Sequence, residues 1–198
     1  MIEPLLKDDA LLHDIEWART QPDALHIWWL GQSGFLLLWR GTHVLLDPYL
    51  SDSLTRKYAA TDKPHIRMTA RVIAPERLAF VDLVTVSHGH TDHCDPDTLG
   101  PLLRANPSLR LVGPAAILPL LAERAGSDIG ACIGLDEGEA VVVNGVSISA
   151  IAAAHETIER DAGGCCLFLG YVVRLGPWTI YHSGDTVLYD GMAERVRA

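Results

Sequence analysis

At 198 residues, with 48% hydrophobic and 21% charged residues, the chain carries enough apolar material for one substantial buried core. A formal net charge of −9 disfavours a long nucleic-acid track, which draws on clustered Lys and Arg. No run approaches the roughly 20 apolar residues of a bilayer span, and the acidic opening MIEPLLKDDALLHD lacks the layout of a signal peptide. The expectation is a soluble, cytoplasmic protein that meets a small molecule rather than a membrane or a nucleic acid, with self-association left open.

From Lys7 to Thr20 the apolar positions Leu11, Leu12, Ile15 and Ala18 recur at helical spacing, and Pro22 closes the pattern. An amphipathic helix is expected there, within an N-terminal extension of residues 1–25. In LHIWWLGQSGFLLLWRGTHVLLDPYL, the β-rich runs Ile27 to Leu30, Phe35 to Trp39 and Val44 to Leu46 are separated by glycine turns, which predicts an antiparallel meander ended at Asp47-Pro48. Trp28, Trp29 and Trp39 are read as core. Residues 51–80 hold no sustained period and read as a long loop with a short helix.

VDLVTVS (81–87) predicts a buried strand, and Asp95-Pro96 predicts a helix start with Asp95 as N-cap. SLRLVGP followed by AAILPLLAERAG reads as a strand and then a helix closed by Gly126. Asn144-Gly145 marks one hairpin, and Leu175-Gly176-Pro177 marks a second. This order predicts sheets packed face to face with helices outside. The four cysteines, Cys94, Cys132, Cys165 and Cys166, form no CxxC pair and read as unpaired.

VSHGHTDHCD (86–95) follows the buried strand at 81–87. A turn at a strand end aims neighbouring side chains at one point, so His88, His90, Asp92 and His93 are candidate ligands for a borderline divalent cation such as zinc or manganese. Gly89 is expected to give the turn its backbone freedom. Asp47 reads either as a group that orients a metal-bound histidine or as a turn cap. His182 reads as a packing group that could reach the site.

HGHTDH resembles the signature of the metallo-β-lactamase superfamily, and the resemblance covers residues 26–190. It implies an α+β fold, a four-layer αββα sandwich over residues 26–198, with one or two divalent ions at the edge of the two sheets. Carried over by position, it implies that His88, His90 and His155 bind a first metal, that Asp92 and His93 bind a second, and that Asp185 bridges them. WWLGQSGFLLLWRGTHVLLDPYLSD is similar to the branch that includes L-ascorbate-6-phosphate lactonase. The superfamily takes a further histidine for the second metal from near the end of its domain, and no histidine follows His182 here. The resemblance thus leads one to expect a C-terminally incomplete domain that lacks its closing strand and last helix.

The implied chemistry is hydrolysis of a small anionic ester, lactone or phosphoester by a metal-bound hydroxide, with Asp92 or Asp185 moving the proton. The locally basic stretch before the metal loop makes Arg56, Lys57 and Arg67 candidates for holding the anion. Two other readings compete: a phosphodiesterase or nuclease with the same metal core, and a truncated, non-catalytic metal-binding protein.

Overall fold

A computed structural model describes residues 1–197. The N-terminal helix α1 (Asp9–Ala18) precedes three antiparallel strands, β1 (His26–Gly31), β2 (Gly34–Trp39) and β3 (Thr42–Leu46). After a short helix α2 (Ser53–Tyr58), three strands join β3 in parallel: β4 (Leu83–Thr85), β5 (Arg110–Pro114) and β6 (Cys132–Leu135). Helices α3 (Pro96–Ala105) and α4 (Leu118–Ala125) make the crossovers. The second sheet is antiparallel, in the order β10-β9-β8-β7, from β7 (Ala140–Val143), β8 (Val146–Ala152), β9 (Leu169–Leu175) and β10 (Trp178–His182). A short helix α5 (Met192–Arg197) follows.

Strand alternation divides the core in two. Leu36, Leu38, Leu45, Val84 and Leu111 face the helices and join Leu11, Ile15, Leu99, Leu102 and Leu121 in one cluster. Their neighbours Leu37, Val44, Leu46, Leu83 and Val112 point the other way and meet Val146, Ile148, Tyr171 and Val173 of the second sheet. The first sheet is covered on both faces, which is why its strands read as continuous apolar runs. Helices, sheet and sheet stack in the order expected of the αββα sandwich, the second sheet's outward face carries the exposed Val142 and Arg174, and α5 lies beside Tyr181 of β10. No helix among the described residues is long and apolar enough to cross a membrane.

Local chemistry accounts for the boundaries. Asp95 caps α3 by accepting from the Asp97 N–H, Pro96 fills the first turn, and Gly126 ends α4 at φ 64°. Asn144 and Gly145, at φ 51° and 80°, make the tight turn between β7 and β8. All four cysteines are free.

Two expectations need correction. Trp29 is not core: it lies on the edge strand β1, 51% exposed, with its indole N–H donating to the Gln32 carbonyl. Trp28, on the opposite face, is buried and donates to Asp14 of α1, so alternation along β1 separates the two rings. Strand β6 was not foreseen, because CIGL is too short to show a period and pairs only through the parallel template of β5. Helix α1 belongs to the same core cluster as the first sheet, through Leu11, Ile15 and Ala18.

Candidate metal centre

Four strand ends converge at one rim between the sheets. β3 leads to Asp47, β4 leads to Ser87 and His88, β8 leads to His155, and β10 ends at His182 and leads to Asp185. Backbone bonds lock them together: Asp47 N donates to Thr85 O at 3.0 Å, and Leu169 N donates to Ser87 O at 2.9 Å. The buried Tyr171 hydroxyl adds a bond to Val86 O at 3.0 Å, tying the second sheet to the root of the metal loop. Gly184, at φ 56°, lets the loop carrying Asp185 approach; a Cβ there would sit 2.6 Å from Ser87 Cβ.

All six sequence-predicted ligand positions meet here. The His88 and His90 ring centroids lie 4.6 Å apart, His88 and His93 4.1 Å, and His90 and His155 4.9 Å. His93 Nε2 lies 3.3 Å from Asp185 Oδ1 and 4.0 Å from Asp92 Oδ2. Ligand atoms of His88, His93 and Asp185 all fall within 4.8 Å of one another. This tight group crosses the two ligand sets that the resemblance implied.

Asp47 acts on His93. Fully buried, at φ 40°, its carboxylate takes the Ser87 N–H at 2.7 Å and the Ser87 hydroxyl at 2.5 Å, and its Oδ2 lies 2.6 Å from His93 Nδ1. That bond fixes the ring and turns Nε2 toward Asp185, the arrangement in which a carboxylate orients a metal-binding imidazole. His182 lies behind it, its Nε2 3.0 Å from Ser33 O and its Nδ1 3.9 Å from Asp47 Oδ2.

The charges follow from these contacts. Burial opposes a proton on His93, but hydrogen bonds to Asp185 and Asp47 outweigh it and raise the pKa to about 10. The bond from His93 holds Asp185 down at about 2. Burial, followed by repulsion from His93, pushes His88 down to about 3, so His88 is neutral near pH 7. Its Nδ1 lies 2.9 Å from Ser87 Oγ, while its buried Nε2 has no partner. A buried, unpaired imidazole nitrogen in a group with a second imidazole and a carboxylate fits a borderline divalent cation, with His90, His155 and Asp92 nearby to complete a shell.

Several residues at the site carried no signal in the sequence. Phe168 packs its ring 4.9 Å from His88 and 5.3 Å from His155. Ser33 Oγ lies 3.2 Å from His93 Nδ1. Thr186 Oγ1 accepts from Ala154 N and Val187 N donates to Ala154 O, lacing the His155 segment to the Asp185 segment. Gly89 also differs from its expected role. Its φ is not in the left-handed region, and what it supplies is room, since a Cβ would lie 3.1 Å from Leu120 Cδ2.

The proposed anion-binding residues fare unequally. Arg67 is corrected: it is 2% exposed, and its guanidinium donates to the carbonyls of Thr69, Tyr49 and Ser51, so it pins the 49–69 loop instead of meeting solvent. Arg56 is exposed on α2 and paired with Asp97 at the start of α3. Lys57 is exposed, with its ammonium 5.1 Å from the Tyr58 ring.

Residues 26–192 match the sequence profile described as "Beta-lactamase superfamily domain". The chain belongs to the beta-lactamase superfamily. Among superfamily relatives, a UPF0173 metal-dependent hydrolase of Saccharolobus solfataricus is 27% identical over 168 residues, covering 83% of this chain and 63% of the relative. A protein of Escherichia fergusonii named "Probable L-ascorbate-6-phosphate lactonase" is 25% identical, covering 89% of this chain and 58% of that one. The chain therefore spans less than two thirds of the length of these superfamily relatives. Among solved structures, the metallo hydrolase Igni18 of Ignicoccus hospitalis superposes with a TM-score of 0.55 at 20% identity, covering 84% of this chain and 63% of that one, a likeness of fold.

Proposed function

We propose that this chain carries the catalytic core of a metal-dependent hydrolase that cleaves a small anionic ester, lactone or phosphoester. The observation that carries the reading is the tight group of His88, His93 and Asp185, in which the buried Nε2 of His88 has no hydrogen-bond partner among the described residues. In support, a superfamily relative bears the name of a metal-dependent hydrolase and another that of a probable L-ascorbate-6-phosphate lactonase.

His88, His90 and His155 would hold one cation and Asp92 and His93 a second, with Asp185 between them; the donor set suits zinc or manganese. When bound, a divalent cation lowers the pKa of water and polarises a substrate oxygen, which supplies a nucleophile at neutral pH. The protein's own part is to position and to move protons. Asp47 keeps the His93 Nδ1 proton in place, so that Nε2 is the free donor. Asp92, half-buried beside His93 Nε2, would take the proton released by hydrolysis and return it to the leaving group, with Asp185 as the alternative carrier. Arg56 and Lys57 on α2 would receive the substrate's anionic group.

The test is to load the metal-free chain with zinc or manganese and to assay a lactone, a phosphomonoester and bis(p-nitrophenyl) phosphate. Metal uptake by the parent, its loss in His88→Ala, and turnover of the lactone or monoester are expected. A parent that takes up neither metal would sink the reading. Turnover of the diester alone would instead favour the phosphodiesterase.

A further inference from the structure

All four candidate ligands of the metal loop lie between residues 88 and 93, and one side chain from another element grips both ends of that span. Arg124, in the last turn of α4, donates through Nη1 to Gly89 O at 2.6 Å and to Cys94 O at 3.0 Å. A single nitrogen bound to two carbonyls forces the chain between them to turn back on itself. Inside the turn, the His93 and Cys94 N–H groups both donate to His90 O.

No carboxylate among the described residues lies within salt-bridge distance of Arg124. Its half-buried guanidinium therefore has the loop as its partner. Leu120, one helical turn earlier on the same face, comes close to Gly89, and Ile117 stands behind it. This face of α4 packs against the ligand loop at Gly89.

We propose that Arg124 is a positioning residue that sets the spacing between the His88/His90 and Asp92/His93 donor pairs. The guanidinium reaches no ligand atom; it acts by holding the carbonyls at the two ends of the loop in one place. An ammonium keeps the charge and has N–H groups enough for two carbonyls, but it sits at the level of the arginine Cζ, one bond short of Nη1, and so falls short of both carbonyls at once. The consequence for metal binding rests on the metal reading above, whereas the effect on loop order does not.

The experiment compares the parent with Arg124→Met, which keeps the apolar stem, and with Arg124→Lys. Hydrogen exchange of the metal-free chain is followed by mass spectrometry, and zinc affinity is measured by competition with a chromogenic chelator. In Arg124→Met, exchange should quicken in residues 89–95 and leave β8 and β9 unaltered, and zinc should bind about 10-fold more weakly. Arg124→Lys should fall between the two. Parent-like exchange and affinity in a folded Arg124→Met chain would overturn the proposal, as would faster exchange spread evenly over the whole molecule. Should Arg124→Met not fold, Arg124→Lys decides, and parent-like behaviour in both measurements overturns the proposal. A parent that binds neither zinc nor manganese removes the hydrolase reading, while the exchange arm still judges the clamp.

Discussion

On the His93 flank of the centre both ring nitrogens face carboxylates, one of them fully buried, and the Ser87 hydroxyl and N–H close on the same Asp47. On the His90 and His155 flank the rings rest against each other and on Phe168, and His90 is exposed. One flank is braced by charge-assisted hydrogen bonds in a low-dielectric interior; the other is assembled by packing at the mouth of the site. On the proposed reading, rigid geometry and substrate access would thus be provided by different halves of one ligand set.

The largest effect should come from breaking the brace. Asp47→Ala leaves a buried His93 and the Ser87 N–H without their acceptor, and should cost about 3–5 kcal/mol in the urea unfolding of the metal-free chain. A loss below about 1 kcal/mol, the scale of an ordinary hydrogen bond, would show that the brace is weak.

The pH dependence sharpens the same point. The His93 pKa is raised from an ordinary 6.5 to about 10, so its contribution to the stability of the metal-free chain is fully present below 6.5 and is lost as pH rises through about 10. Asp185 runs the other way. Its pKa is lowered from 3.8 to about 2, so its contribution is present above 3.8 and is lost as pH falls through about 2. Thermal melts of the metal-free chain should therefore decline between pH 6.5 and 10, and His93→Gln should flatten that decline. Zinc affinity should rise over the same interval, because the metal must displace the His93 proton.

On the open flank, Thr186→Val removes the acceptor of the Ala154 N–H, and should cost about 1 kcal/mol while disturbing His155 more than His93. Imidazole chemical shifts of the two residues would tell them apart. The smallest effect belongs to the surface: Arg56→Ala should change stability by less than about 1 kcal/mol and should show itself only in a higher KM for an anionic substrate.

The flanks also differ in what the sequence reveals. HGHTDH is legible because a strand end and a turn crowd four donors into six positions, and the resemblance adds His155 and Asp185. Asp47 could be read two ways, and only the parallel register Leu46↔Thr85 brings it beside Ser87 and His93. Ser33, Phe168, Arg124 and Thr186 were illegible because each meets its partners at a distance in sequence, from 13 positions for Phe168 and His155 to 80 for Phe168 and His88, and no local pattern encodes such a meeting. Arg67 misled for a related reason. A positive charge in a basic stretch looks the same whether it faces solvent or three carbonyls, and burial decides.

The contact between His182 and Ser33 joins residues 149 positions apart, and it closes the back of the site. Such a contact is slow to form, since the chain must close a long loop before it is rewarded. The contact of Asp185 with His93 likewise waits on the closure of a long loop. A nascent or partly folded chain shows only the local half of the candidate donor set, so on the proposed reading metal capture would be a late event that reports on the arrival of the final hairpin.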